Sequence, residues 1–141
     1  MRLSRVPAFS LLALLLAGLV RIHAGDAPPG PVPGLSGRWS GHWESGKNGH
    51  RGPLRATFTR IDDCHYRVVF RGRFWLVVPF RYGMTMNVTG SDGDKLILSG
   101  SHQLGPVLGS FDYCAAATCR DFVADFQSRG DYGKFVLTRD R

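Results

Sequence analysis

The chain predicts an all-β fold, an antiparallel up-and-down β-barrel or barrel-like sandwich of about eight to ten strands. Three observations predict it. Strand-like stretches recur about every eight to twelve residues, with turn residues between them. No segment sustains an apolar period of about 3.6, so almost no helix is expected. The 18 glycines and short connections are what antiparallel sheets use at turns and bends.

The elements follow in order. Arg38 to Glu44 is the first strand, and Lys47-Asn48-Gly49 after it is a strong turn signal. Leu54, Ala56 and Phe58 then alternate with Arg55, Thr57 and Thr59, before a turn at Asp62-Asp63. Tyr66, Val68 and Phe70 alternate with Arg67, Val69 and Arg71. The run Phe74-Trp75-Leu76-Val77-Val78 is apolar on both faces and is broken by Pro79, the mark of an edge, bend or bulge. The whole stretch Phe74 to Phe80, apolar on both faces, predicts burial on both sides, an interface or a ligand contact. Phe80 to Thr89 carries Tyr82, Met84, Met86 and Val88 on one face. Lys95 to His102, Val107 to Ala115, Phe122 to Gln127 and Gly133 to Arg139 complete the set. Closing such a sheet removes its exposed edges.

Ahead of this domain stands a leader over residues 1–24. Arg2 and Arg5 precede an apolar run from Ala8 to Val20, and Ile22-His23-Ala24 offers a cleavage site. The run would span about 20 Å as a helix, against a hydrocarbon core of about 30 Å. A cleaved signal peptide and export, secreted or periplasmic, are therefore expected. The bulk of Ile22 keeps an uncleaved anchor as the alternative. Residues 25–36 read as a Pro/Gly-rich linker, and 37–141 as a single domain. Without residues 1–24, 15 Lys and Arg (18 less Arg2, Arg5 and Arg21) face 11 Asp and Glu, a net charge of about +4. Twelve of the 15 are Arg, which favours planar, hydrogen-bonding cations. A moderately basic surface is the plain reading, and affinity for anionic polymers or membrane headgroups the sharper one. Nucleic acid is not expected of an exported chain without a recognition motif.

Three cysteines remain, Cys64, Cys114 and Cys119. A Cys114–Cys119 bridge closing a hairpin would set Phe111 opposite Phe122 and Asp112 opposite Asp121. That is a candidate disulfide, opposed by the facing aspartates. No zinc spacing, nucleophile elbow, phosphate loop or His-Glu-x-x-His occurs. His42 and Glu44 share a strand face near His50, without a spacing that demands a metal, so none is expected. A single Glu in the domain leaves little for paired-carboxylate catalysis. No cofactor is implied, and catalysis is not expected.

Gly37-Arg38-Trp39 opens the first strand, with Trp43 on the same face. Gly-x-Trp in that place resembles the calycin superfamily, which includes lipocalins, fatty-acid-binding proteins and avidins. The resemblance implies a barrel whose Trp39 closes one end and stacks under a cation near the end of the last strand, where Arg139 stands. Avidins hold biotin with an Asn two residues after the Trp; this chain has Gly41, so biotin is not implied. The chain also resembles small secreted bacterial β-rich proteins carrying Gly-x-Trp and Pro-Phe-Arg-Tyr, here Pro79-Phe80-Arg81-Tyr82, a likeness that implies no activity.

Arg71, Arg73 and Arg81 interleave with Phe70, Phe74, Trp75, Phe80 and Tyr82. Two arrangements fit: a stacking or headgroup-binding surface, or aromatics in the core with Arg side chains reaching outward. The leading expectation is a non-catalytic binding module holding a small apolar or amphipathic ligand in the barrel. Trp75, Tyr82 and Met84 would line the site, with Arg81 as an anion partner. The alternative is a cell-envelope structural or interaction protein with a filled barrel, acting through its surface on an envelope protein or a membrane surface.

Overall fold

The computed structural model describes residues 34–74, 77–106 and 109–141. The expected leader therefore lies outside the described residues. Eight strands form: β1 (Gly37–Ser45), β2 (Arg51–Arg60), β3 (His65–Phe74), β4 (Val78–Asp92), β5 (Lys95–Gln103), β6 (Ser110–Ala117), β7 (Asp121–Ser128) and β8 (Tyr132–Arg139). Each pairs antiparallel with the next, and β1 pairs with β8, so the sheet closes as an up-and-down barrel. The closed barrel, not the sandwich, is the outcome.

The two-residue alternation read from the sequence sets the faces. On β2, Leu54, Ala56 and Phe58 are buried while Arg55, Thr57 and Thr59 are exposed. Side chains from all eight strands meet inside, and the interior mixes sizes as a tapering barrel requires. Ala115, Ala117 and Ala124 on β6 and β7 leave room for Trp39, Phe58 and Phe122, whose rings pack with centroids 5.1–6.4 Å apart.

Two positions along one seam depend on glycine. At Gly41, a Cβ would overlap the Val136 carbonyl oxygen and come within 2.9 Å of the Leu137 Cα. At Gly133 on β8 it would overlap the Glu44 carbonyl oxygen. Both lie where β1 meets β8, and closure there needs backbones without side chains between them.

Two expectations change. Of the run Phe74–Val78, the described residues Phe74, Val77 and Val78 are exposed rather than buried on both sides, which leaves the interface or ligand contact as the other expected roles; Phe74 pairs with Val78, and the Val77 N–H bonds to the Phe74 carbonyl. Residues 25–33 of the expected linker lie outside the described residues, and at its end Leu35 is completely buried against the barrel. The β6–β7 register also differs: Phe111 faces Ser128, Cys114 faces Asp125, and Ala117 faces Phe122. Ala115 and Ala117 are drawn into the strand by the small interior positions they fill. The turn then falls at Thr118–Asp121, where the Thr118 hydroxyl accepts the N–H groups of Arg120 (3.2 Å) and Asp121 (3.0 Å). Cys119 sits in that turn while Cys114 is in the strand, so the expected Cys114–Cys119 pairing is not formed, and all three cysteines are exposed free thiols.

Candidate functional site

One end of the barrel is plugged. Gly37, with a φ of 135°, swings the preceding residues 34–36 back across that end, a backbone conformation that favours glycine. The Trp39 indole N–H donates to the Leu35 carbonyl (2.9 Å), and the Leu35 N–H reaches the Tyr66 hydroxyl (3.4 Å). Arg139 lies with its guanidinium carbon 4.9 Å from the Trp39 ring centroid and donates to the carbonyls of Ser36 (3.1 Å) and Gly34. The contact expected between the first and last strands is present, and it serves to tie down the plug. At the same end, the Asp62 carboxylate accepts from the Cys64 N–H (2.8 Å) and from His65 Nδ1 (2.7 Å), which holds it below the usual carboxylate range.

The opposite end is an aromatic mouth. The Trp43 indole donates to the Arg73 carbonyl (3.1 Å), and Phe74 stacks on Phe80 with centroids 4.5 Å apart. Phe111, Phe126 and Phe135 form a stack, and Phe70 packs on Phe135. Tyr82 meets His102 edge to face at 5.7 Å, and its buried hydroxyl has no hydrogen-bond partner among the described residues. Of the residues expected to line an internal site, Tyr82 and Met84 do face inward, Met84 within the core. Arg81 is on the outer face, and Trp75 lies outside the described residues. Tyr82 and Met84 share the inner face, and Arg81 does not join them.

Burial pushes the Tyr82 and Tyr113 hydroxyls above their ordinary pKa of 10, partly opposed at Tyr113 by the Asn87 N–H that it accepts at 3.0 Å. With the folded value raised, the unfolded chain ionises first. The associated stability is full below pH 10 and is lost as pH climbs through the folded value. Tyr113→Phe should cost about 1 kcal/mol at neutral pH by orphaning the Asn87 N–H. It should also flatten the alkaline fall in stability. Denaturant midpoints across alkaline pH check this; parallel curves for the two proteins would refute it.

The outer face of β1–β4 is the more distinctive surface. The register sets Ser40 opposite Arg55, Arg55 opposite Arg71 and Arg71 opposite Arg81, so three arginines stand side by side across β2, β3 and β4. A groove of about 640 Å³ runs over this face, lined by Arg38, Pro53, Arg55, Arg71 and Arg73, with one carboxylate, Asp140, at its edge. No ion pair engages Arg38, Arg55, Arg71, Arg73 or Arg81 among the described residues. Of the other exposed arginines, Arg51 pairs with Glu44 (2.9 Å) and Arg60 with Asp63, while Arg67, Arg120, Arg129 and Arg141 stand apart from one another without an ion pair among the described residues. Like charges directly opposite each other in a sheet are unfavourable, and no carboxylate among the described residues pairs with this row.

The charges are segregated around the barrel. Strands β2–β4 carry seven arginines and one aspartate, Asp92 at the far end of β4. Strands β6 and β7 carry three aspartates and no Lys or Arg. The alternation of Arg67 and Arg71 with Tyr66, Val68 and Phe70 implies that both arginines point outward, but it does not reveal the row or the groove. The signal was available only through the pairing of Arg55, Arg71 and Arg81 once both hairpins have a register.

Set against known proteins, the chain matches no family model, no curated protein and no solved structure.

Proposed function

We propose that this protein is an exported, non-catalytic binding module, built on a calycin-like barrel with a filled interior, that takes an anionic ligand on the outer face of β1–β4. The observation that carries the reading is the unpaired row Arg55–Arg71–Arg81 beside the groove lined by Arg38 and Arg73. Guanidinium groups present planar, paired donors that fit phosphate, sulfate or carboxylate oxygens. A bound anion supplies the counter-charge that the row lacks. The calycin-like assignment rests on Gly37-Arg38-Trp39 and on the Arg139 contact with Trp39. An apolar ligand inside the barrel draws less support, since Met84 is 4% exposed and the plugged end is packed with Trp39, Phe58 and Phe122.

Heparin-agarose provides the test, as a polyanion with dense sulfate and carboxylate groups. Wild-type protein should be retained and released by salt. The triple variant R55Q/R71Q/R81Q should bind about 100-fold more weakly, each lost charge-assisted contact being worth about 1 kcal/mol or more. Arg120→Gln, an equal charge change per site at the β6–β7 turn, should elute like wild type. Arg71→Gln alone should also stabilise the fold slightly, by about 0.2–1 kcal/mol, because it relieves two like-charged neighbours. Elution that follows net charge alone, with R120Q shifted as far as R71Q, would defeat the assignment.

A further inference from the structure

We infer that the anionic partner is a lipid bilayer surface, and that the β3–β4 hairpin tip inserts its apolar side chains among the headgroups while the arginine row meets the lipid phosphates. The inference rests on the anion-binding reading above and adds an observation independent of it. Six large apolar side chains are exposed among the described residues, and three of them, Phe74 (47%), Val77 (74%) and Val78 (50%), share this one tip. They sit at the hairpin end at the barrel's mouth, level with the β1–β2 turn, and not on a flat sheet face.

The apolar tip and the cations stand in line. Arg73 is one residue below Phe74, and the Arg71–Arg81 pair is three residues below the Phe74–Val78 pair. At a strand rise of about 3.3 Å, that places the pair about 10 Å behind the tip. Apolar side chains of surface-bound proteins penetrate about 5–10 Å, to the boundary of headgroups and acyl chains. With the tip at that depth, Arg73, Arg71 and Arg81 lie at the level of the phosphates. Hairpins that dock on other proteins have no need of a cation collar at this spacing.

Charge complementarity orients the whole barrel. With the tip inserted, the arginine-rich strands β2–β4 tilt the barrel toward the anionic surface, and the three aspartates of β6 and β7 lie on strands across the barrel from them. A dipole of this kind is attracted and turned by the negative potential of an anionic leaflet. The barrel lies on the membrane rather than in it. Its apolar residues face inward and its charged ones outward, the inverse of a membrane-spanning barrel.

Co-sedimentation with vesicles tests this, using phosphatidylcholine with and without phosphatidylglycerol. Wild-type protein should pellet with the anionic vesicles and stay in solution with the neutral ones. Each basic residue near such a surface strengthens partition about fivefold, so R71Q/R81Q should weaken it about 25-fold. The variant V77S/V78S should weaken vesicle binding at least tenfold while its retention on heparin-agarose stays at the wild-type level, which also shows that the barrel is folded. Wild-type protein that binds heparin but not anionic vesicles overturns the membrane inference and leaves the anion-binding reading standing. Vesicle binding unchanged in V77S/V78S overturns tip insertion. Failure to bind either probe overturns both readings, and equal binding to neutral vesicles removes the role given to the arginines.

Discussion

Alanine at Gly41 should open the barrel along its β1–β8 seam. The added Cβ would overlap the Val136 carbonyl oxygen and lie 2.9 Å from the Leu137 Cα, both backbone atoms held in the β8 ladder. Overpacked side chains usually cost about 1–3 kcal/mol because a neighbour can change rotamer. Backbone cannot, so the cost here should reach at least about 3 kcal/mol, a large part of the roughly 5–15 kcal/mol that holds a domain together. Gly133→Ala should behave alike, since its Cβ would overlap the Glu44 carbonyl oxygen from the other side of the same seam. Gly90→Ala is the contrast: nothing lies within 4 Å of a Cβ there, and the change should be neutral or slightly stabilising. Guanidinium denaturation ranks the three, and amide exchange should show lost protection in β1 and β8 before the remaining strands. A Gly41→Ala midpoint equal to wild type would mean that the seam relaxes at little cost.

The contrast between Gly41 and the arginine row shows what a linear sequence carries and what it hides. Alternation at Leu54–Ala56–Phe58 and Tyr66–Val68–Phe70 is local, and it sets inner and outer faces before any pairing is known. Trp39 and Arg139 lie at opposite ends of the domain, and closure of an up-and-down sheet brings them together whatever the middle does. Register is different. The expected Cys114–Cys119 pairing kept Phe111 and Phe122 on the inner face yet set them opposite each other, whereas Phe111 faces Ser128 and Phe122 faces Ala117. A shift by an even number of residues leaves every side chain on its own face, so alternation cannot detect it. The turn chemistry of Thr118 decides it. The same ignorance of register concealed Arg55–Arg71–Arg81, which are neighbours only because two hairpins align them. At the apolar run Phe74–Val78, alternation could not choose between burial on both sides and an exposed contact surface, for another reason. A two-sided apolar strand and an exposed hairpin tip have the same composition, and only the position of the turn separates them.

Removing the Trp39 side chain should be the costliest change in the core. It is completely buried, its ring lies 5.6 Å from Phe58 and 6.4 Å from Phe122, and it supports the Arg139 guanidinium at 4.9 Å. Trp39→Ala should destabilise by about 3–5 kcal/mol, the range for a large aromatic lost from a packed interior. Part of that loss is not apolar area. The indole N–H satisfies the Leu35 carbonyl at 2.9 Å, and Arg139 fixes the carbonyls of Gly34 and Ser36, so the plug depends on the same side chain twice. Trp39→Phe separates the contributions. It keeps most of the buried ring, removes the hydrogen bond and weakens the cation–π contact, and should cost about 1–2 kcal/mol. Leu35→Ala should then cost about 2–5 kcal/mol in the wild-type background. It should cost less in Trp39→Ala, because residues sharing a contact are not additive. Equilibrium denaturation of the single and double variants gives the coupling. Additive losses would mean that residues 34–36 pack on the barrel independently of Trp39, and that Gly37-x-Trp39 is a strand opening and not the clasp that holds the end shut.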